Sequence, residues 1–174
     1  EKNRIYDELE ARHRKQTARI RELLEQCKEA DLSEIRGLMK KILLLGTYIK
    51  RSANLYFLSR DYVLLPQQEL RLTVDEAVRA MTACGTECGV VYRTTGTIPS
   101  AEVERIFELL KTVAETTVDK LNSLFISVSD SEMNLSAESA ADLSSVASPE
   151  VSVRREDGLW LIRTQIRGVE PCID

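Results

Sequence analysis

Hydrophobic spacing divides the chain into two parts of different character. Over residues 3–29 apolar side chains recur at helical intervals (Ile5, Leu9, Ile20, Leu23, Leu24, Cys27) with no Gly or Pro, which predicts one long helix. Its stripe is narrow and is broken in the middle by Arg12, His13, Gln16 and Thr17, so the helix needs partner helices to bury it. Asp31-Leu32-Ser33-Glu34 reads as a short connector that offers two N-caps, Asp31 and Ser33. The next helix, about 34–59, is apolar over more than one face: Ile35, Leu38 and Met39, then Ile42 to Leu45, Ile49, Ala53 and Leu55 to Leu58. More than its hairpin partner should cover it. Two such helices joined by a tight turn have no closed core, and a second copy completing a four-helix bundle is the simplest remedy.

After Asp61 the period changes. Pro66 opens a helix over about 66–83 with Leu70, Val74, Ala77, Val78 and Met81 on one face, and Cys84-Gly85 ends it. Residues 89–93 read as a strand, 94–97 as a turn, and Pro99-Ser100 opens a helix running to about residue 122 through Val103, Ile106, Phe107, Leu110, Val113, Ala114, Val118 and Leu121. Residues 124–128 read as a buried strand and 133–137 as its partner across Asp130-Ser131. A small polar stretch, 139–149, precedes strands at 151–154 and 159–164, and Asp157-Gly158 between them is a strong hairpin signal. There is no internal repeat. The predicted class is α+β: a helical hairpin over 1–61, then a two-layer α/β sandwich over 62–174 with a mainly antiparallel, mixed sheet.

Composition sharpens this division. The 174 residues are 43% hydrophobic and 30% charged with 7 Gly and 4 Pro, which is globular rather than disordered or collagenous. The net charge of -4 hides an asymmetry: residues 1–60 hold 14 Lys/Arg against 9 Asp/Glu, and the remainder 10 against 19. The basic positions are interleaved with acids, as on a solvated helix, so no nucleic-acid partner is expected. No run approaches the roughly 18 apolar residues of a membrane span, and Glu1-Lys2-Asn3-Arg4 is neither a signal peptide nor an initiator start. The chain is therefore expected to be a piece of something longer, making no membrane contact itself. Cys27 and Cys172 stand alone, and Cys84 and Cys88 have no second pair to complete a zinc site, so reduced thiols of an intracellular protein are expected.

A long helical hairpin followed by helix, strand, helix, two strands and a hairpin resembles the core of a bacterial sensor histidine kinase, a dimerisation hairpin joined to an ATP-binding domain of the Bergerat (GHKL) type. Residues 44–55, LLGTYIKRSANL, are similar to a stretch of divergent histidine-kinase-like proteins, and 69–77, ELRLTVDEA, and 153–160, VRREDGLW, are similar to segments that accompany it. The likeness covers nearly the whole chain, although none of these motifs is catalytic.

The resemblance implies catalytic positions. The family's phosphoryl acceptor is a His in the first hairpin helix followed by an acid that takes the imidazole proton. Residues 4–9, RIYDEL, resemble that motif with Tyr6 at the acceptor position, and a phenol does not replace an imidazole. The other candidate is His13, flanked by Arg12 and Arg14 and read as exposed. On the nucleotide helix the family carries Glu-x-x-x-Asn, whose Asn holds the phosphate-bridging magnesium. Here Glu115 keeps the Glu and Asp119 stands at the Asn, and the plainer reading makes both solvated helix acids. The glycine box that recognises adenine is absent: residues 137–149 contain Asp142 but no Gly, and a glycine-rich phosphate lid is also missing.

These departures lead to a cytoplasmic, catalytically degenerate signalling module that needs no cofactor, forms a homodimer through its hairpin and contacts a response regulator or another signalling protein. The full-length protein could be membrane-anchored. The alternative is a working divergent kinase in which Glu115 and Asp119 manage Mg-ATP and His13 takes the phosphoryl group. A third reading is a plain helical interaction module with an α/β appendage. Trp160 is read as core, and the pairs Lys50-Arg51 and Arg154-Arg155 as solvated, a phosphate or regulator contact being their sharper alternative.

Overall fold

A computed structural model describes residues 2–168, with side chains from Arg4 onward. Cys172 lies outside the described residues. Two long helices, α1 (Lys2–Gln26) and α2 (Leu32–Asp61), form the hairpin. Of the two candidate caps, Asp31 takes the role: its Oδ1 accepts from the Ser33 and Glu34 amides at 2.8 and 2.9 Å. The Glu34 carboxylate in turn accepts from the Asp31 amide at 3.1 Å, closing a capping box.

Two short strands follow that the hydrophobic pattern missed. The strand β1 (Leu64–Pro66) runs directly into α3 (Gln67–Ala83), and after β2 (Glu87–Arg93) the strand β3 (Thr97–Pro99) runs directly into α4 (Ser100–Thr117). The two pair antiparallel, with Leu65 opposite Ile98 and both buried. Pro66 and Pro99 precede the two helices without a side-chain cap, so the opposite strand does the capping. The Gln67 amide donates to the Gly96 carbonyl at 3.0 Å, and the Ser100 amide to the Val63 carbonyl at 2.9 Å. Orphan donors at two helix starts are thereby satisfied by one small ladder. Three residues per strand are too few to show an alternation in sequence.

The main sheet comprises β2, β4 (Leu121–Ser129), β5 (Glu132–Ser139), β6 (Val151–Glu156) and β7 (Leu159–Gln165), in the order β2-β4-β5-β7-β6. Only the β2–β4 pair is parallel, joined by the α4 crossover; the other three pairs are antiparallel. Asp157 and Gly158 both adopt positive φ at the β6–β7 hairpin, as the sequence signal required. The predicted fourth helix is too long by a turn. It ends at Thr117, and Leu121 already belongs to β4, whose register with β5 shifts between Leu121 and Ser123. Val118 and Leu121 continue the helical apolar spacing by coincidence: Leu121 enters the core from a strand, and Val118 borders the hairpin from a turn.

The strand at 124–128 is buried on one face only. Leu124, Ile126 and Val128 point at α3 and α4, whereas Phe125 is 48% exposed on the outer face, where it covers Gly89 of the neighbouring strand. Between the sheet and these helices lies the core, formed by Leu70, Val74, Val103, Ile106, Leu110, Ile126, Met133, Leu135 and Ile162. Trp160 is buried in it, as expected.

The sandwich is thus two-layered, but the hairpin adds a third layer. Helix α2 packs against both α3 and α4 of its own chain, and Tyr48 and Leu55 join the sandwich core. Part of the surplus apolar surface on α2 is therefore covered in cis. A stripe remains: Leu32, Met39, Leu43 and Phe57, all on one side of α2, stay exposed.

Leu110→Ala should lower the unfolding free energy by about 2–5 kcal/mol, because its side chain lies at the centre of three layers. Asp31→Ala should cost about 1 kcal/mol through the lost cap. Urea denaturation followed by circular dichroism measures both.

Candidate functional site

The residues with chemistry gather where α1 and α2 meet α4. Tyr48 sits at the centre. Its ring stacks on Phe107 at 5.6 Å between centroids, and its hydroxyl donates to Glu108 at 2.8 Å. The Lys111 ammonium lies 4.0 Å from its ring centroid, and His13 meets the ring edge-on at 6.1 Å. Burial pushes the Tyr48 phenol up, and the Glu108 carboxylate, which accepts from it, adds to the shift. Lys111 loses hydration here, but Glu108, Glu115 and Tyr48 outweigh that and raise its ammonium.

His13 is not exposed, as its basic neighbours in sequence led one to expect; only 5% of it reaches solvent. Its helix face is turned inward by the crossing of α1 with α2, while Arg12 reaches Glu104 of α4 at 3.1 Å and Arg14 stays in solvent. Burial lowers the imidazole pKa first, Arg12 and Lys111 lower it further, and a hydrogen bond with the Leu9 backbone and the charge of Glu108 oppose them.

The other candidates are dispersed. Tyr6 is exposed on α1. Glu115 is on the solvent side of α4 near its end; desolvation pushes its carboxyl up, with Glu108 reinforcing and Lys111 opposing. Asp119 lies beyond the end of α4, not on the helix, and pairs with Lys41 of α2 at 3.1 Å. Asp142 is exposed just before the 3-10 turn Ser144–Val146, where its Oδ1 accepts from the Ser144 amide at 2.9 Å. Hydrogen bonding with Ser144 lowers its carboxyl. Glu115, Asp119 and Asp142 therefore do not form one constellation: the first two border the hairpin, and the third serves a local turn.

Two cavities border Glu115. The smaller, about 30 Å³, is walled by Leu44, Tyr48, Phe107, Lys111 and Glu115 among others. The larger, about 250 Å³, opens between Arg19, Leu23, Lys41, Leu44 and Val118. Among the described residues no three His, Cys, Asp or Glu side chains come together as a cation site. Cys27, Cys84 and Cys88 are free thiols, and burial raises the latter two away from the reactive thiolate.

Sequence reading missed a second contact between hairpin and sandwich. Arg51, taken for a solvated cation, has a side chain only 7% exposed and bridges Glu76 at 2.7 Å and Glu69 at 3.6 Å, both on α3. Its neighbour Lys50 remains exposed and also reaches Glu76, at 3.0 Å. Burial alone would raise the Glu76 carboxyl, but these two cations hold it below its ordinary value. In the other basic pair, Arg154 stays in solvent and Arg155 lies over the Trp160 ring at 5.3 Å. A signal for Arg51 existed in sequence: it stands three residues from Tyr48 and four from Leu55, on the same apolar helix face.

No family profile matches the chain, and no curated protein sequence matches it. Among solved structures it is similar to the Acinetobacter baumannii histidine kinase AdeS, with 10% identity and a TM-score of 0.44 over 90% of this chain and 97% of that one. It is also similar to the histidine kinase domain of a blue-light activated histidine kinase from Erythrobacter litoralis, with 14% identity and a TM-score of 0.45 over 86% and 95%. The histidine kinase ThkA, solved in complex with the response regulator protein TrrA, matches at 13% identity and a TM-score of 0.33 over 94% of this chain and 60% of that one.

Arg51→Ala is expected to destabilise the chain by about 3 kcal/mol, the low end for breaking a buried pair, because Lys50 still reaches Glu76. The depressed Glu76 carboxyl gives the sign of the acid dependence: its contribution is full above the ordinary value of 4.5 and is lost as pH falls through the folded-state value. Chemical denaturation at pH 7 and pH 3.5 should therefore show a smaller effect of Arg51→Ala in acid.

Proposed function

We propose that the chain is the cytoplasmic signalling module of a histidine-kinase-like sensor protein, and that it has lost the phosphotransfer chemistry and acts through dimerisation and protein–protein contact. One observation carries this reading: α2 is packed onto the very helix end where the family's nucleotide residues would stand. Lys41 pairs with Asp119, which the resemblance aligns with the magnesium-binding Asn, and Leu44 lines one small cavity with Glu115. These residues do not fit a magnesium-bound nucleotide. A lysine is paired with one carboxylate, and desolvation raises the other. The adjoining cavities of about 30 and 250 Å³ fall below the roughly 300 Å³ of small ligand sites. The missing glycine boxes support the same conclusion.

On this reading the hairpin receives motion from an upstream sensor segment and passes it to the sandwich through contacts that include Tyr48 on α4 and Arg51 on α3. The exposed stripe of Leu32, Met39, Leu43 and Phe57 is what a second hairpin would cover in a four-helix bundle. Among the described residues no helix is long and apolar enough to cross a membrane. A response regulator is the partner we favour, by analogy with the ThkA complex.

In solution the chain should have twice its monomer mass, and the double variant Met39→Glu/Leu43→Glu should be monomeric with unchanged helix content. A wild-type monomer in light scattering at 50 μM (about 1 mg/ml) would count against the dimer. Incubation with labelled ATP should leave no acid-labile, base-stable label; label that disappears in His13→Ala would restore the kinase reading, in which the closeness of His13 to α4 becomes catalytic.

A further inference from the structure

The chain has a single histidine, and the fold buries it with one ring nitrogen engaged by the Leu9 backbone and the other, Nε2, unpartnered. His13 is 95% buried by the crossing of α1 with α2 and α4, and its Nε2 meets no hydrogen-bond partner. The Gln16 Oε1 atom, about one turn on along α1, shares that condition. A buried junction with an unpaired ring nitrogen tolerates the neutral ring far better than the charged one.

The charged groups around it belong to three helices. On α1 itself Arg12 is adjacent. From α2 comes the Tyr48 hydroxyl, already donated to Glu108. From α4 come Glu104, which is engaged by Arg12 and by the Ser59 hydroxyl, then Glu108 and Lys111. Glu108 is the one acid that could compensate a proton on His13, but it already accepts from Tyr48 and lies 3.5 Å from the Lys111 ammonium. A third cation beside Arg12 and Lys111 is left without a counterion.

We propose that His13 is an acid-operated latch: the neutral ring holds the hairpin against α4, and protonation releases α1 and α2 from the sandwich. The direction follows from linkage. The closed state depresses the imidazole pKa, so it binds fewer protons than an open state in which His13 meets water at its ordinary value of 6.5. Closure is complete above about pH 6.5, and the closed-to-open ratio falls about tenfold for each pH unit below that until the closed-state pKa is reached. The latch rests on packing alone, and it stands or falls separately from the signalling role.

Because there is one histidine, its ring gives one assignable imidazole resonance in the full chain. Titrated from pH 8 to 5, that resonance should have a midpoint below 6.5. Amide exchange corrected for intrinsic rates should be constant above about pH 6.5 and accelerate below it in α1 and α2 by about tenfold per pH unit, with β4 and β5 unchanged. His13→Phe keeps a ring against Tyr48 and cannot take a proton, so its α1 exchange should not respond to pH. Should that variant fail to fold, Arg12→Met decides: it keeps His13 and removes the adjacent cation, so the midpoint should rise toward 6.5. A wild-type midpoint at or above 6.5, α1 protection that is constant with pH, a pH response retained in His13→Phe, or an unmoved midpoint in Arg12→Met would each overturn the latch.

Discussion

Everything in this chain depends on how α2 is buried. It is the one element whose apolar residues exceed what a hairpin partner can cover, and burial of apolar surface is worth roughly 25 cal/mol per Å². The structure meets that demand by laying α2 across α3 and α4, with Tyr48 and Leu55 entering the sandwich core. Tyr48 does more than fill space: its ring stacks on Phe107 while its hydroxyl is donated to Glu108, so one side chain fixes both depth and register against α4. Arg51 does the same against α3 through Glu76 and Glu69. A buried ion pair of this kind contributes little net stability but disfavours every packing in which the charge is left unpaired.

The rest of the architecture keeps α3 and α4 in place to receive α2. Each helix springs from a proline at the end of a three-residue strand, and the ladder between β1 and β3 holds the two helix starts side by side. Behind them the five-stranded sheet supplies a flat apolar wall from alternate residues of β4, β5 and β7. In the first turn of α4, Glu102 is held by Arg105 and the Arg167 amide, which ties the end of the described chain to the helix that the hairpin grips. Burial would raise the Glu102 carboxyl, yet these donors hold it below the ordinary range.

The fold sets α2 beside the end of α4 and Asp119. In sequence Glu115 and Asp119 are two members of a helix motif at the spacing of one turn. In the fold the helix stops at Thr117, Asp119 is carried past its end, and a lysine of the hairpin becomes its counterion. His13 moves the opposite way, from an exposed residue among arginines to a buried one facing Tyr48. Local charge says nothing about which face of α1 a crossing helix will cover, so neither outcome could be read from the neighbours of either residue.

The sequence alone determined the elements with strong periods: both hairpin helices, the core faces of α3 and α4, the Asp157-Gly158 turn and a mixed, mainly antiparallel sheet. Each of these is encoded within a window of residues by spacing, capping or turn chemistry. The β1–β3 ladder escaped, because three-residue strands carry no alternation and are defined by each other. The early end of α4 escaped as well, because Leu121 satisfies a helical stripe and a strand face equally well. Only the tertiary structure decided that α2 packs on its own sandwich, that Arg51 and His13 are buried, and that Lys41 stands against Asp119. These are contacts between segments separated by 18 to 100 residues, set by the shape of a three-layer core, and no local pattern along the chain records them.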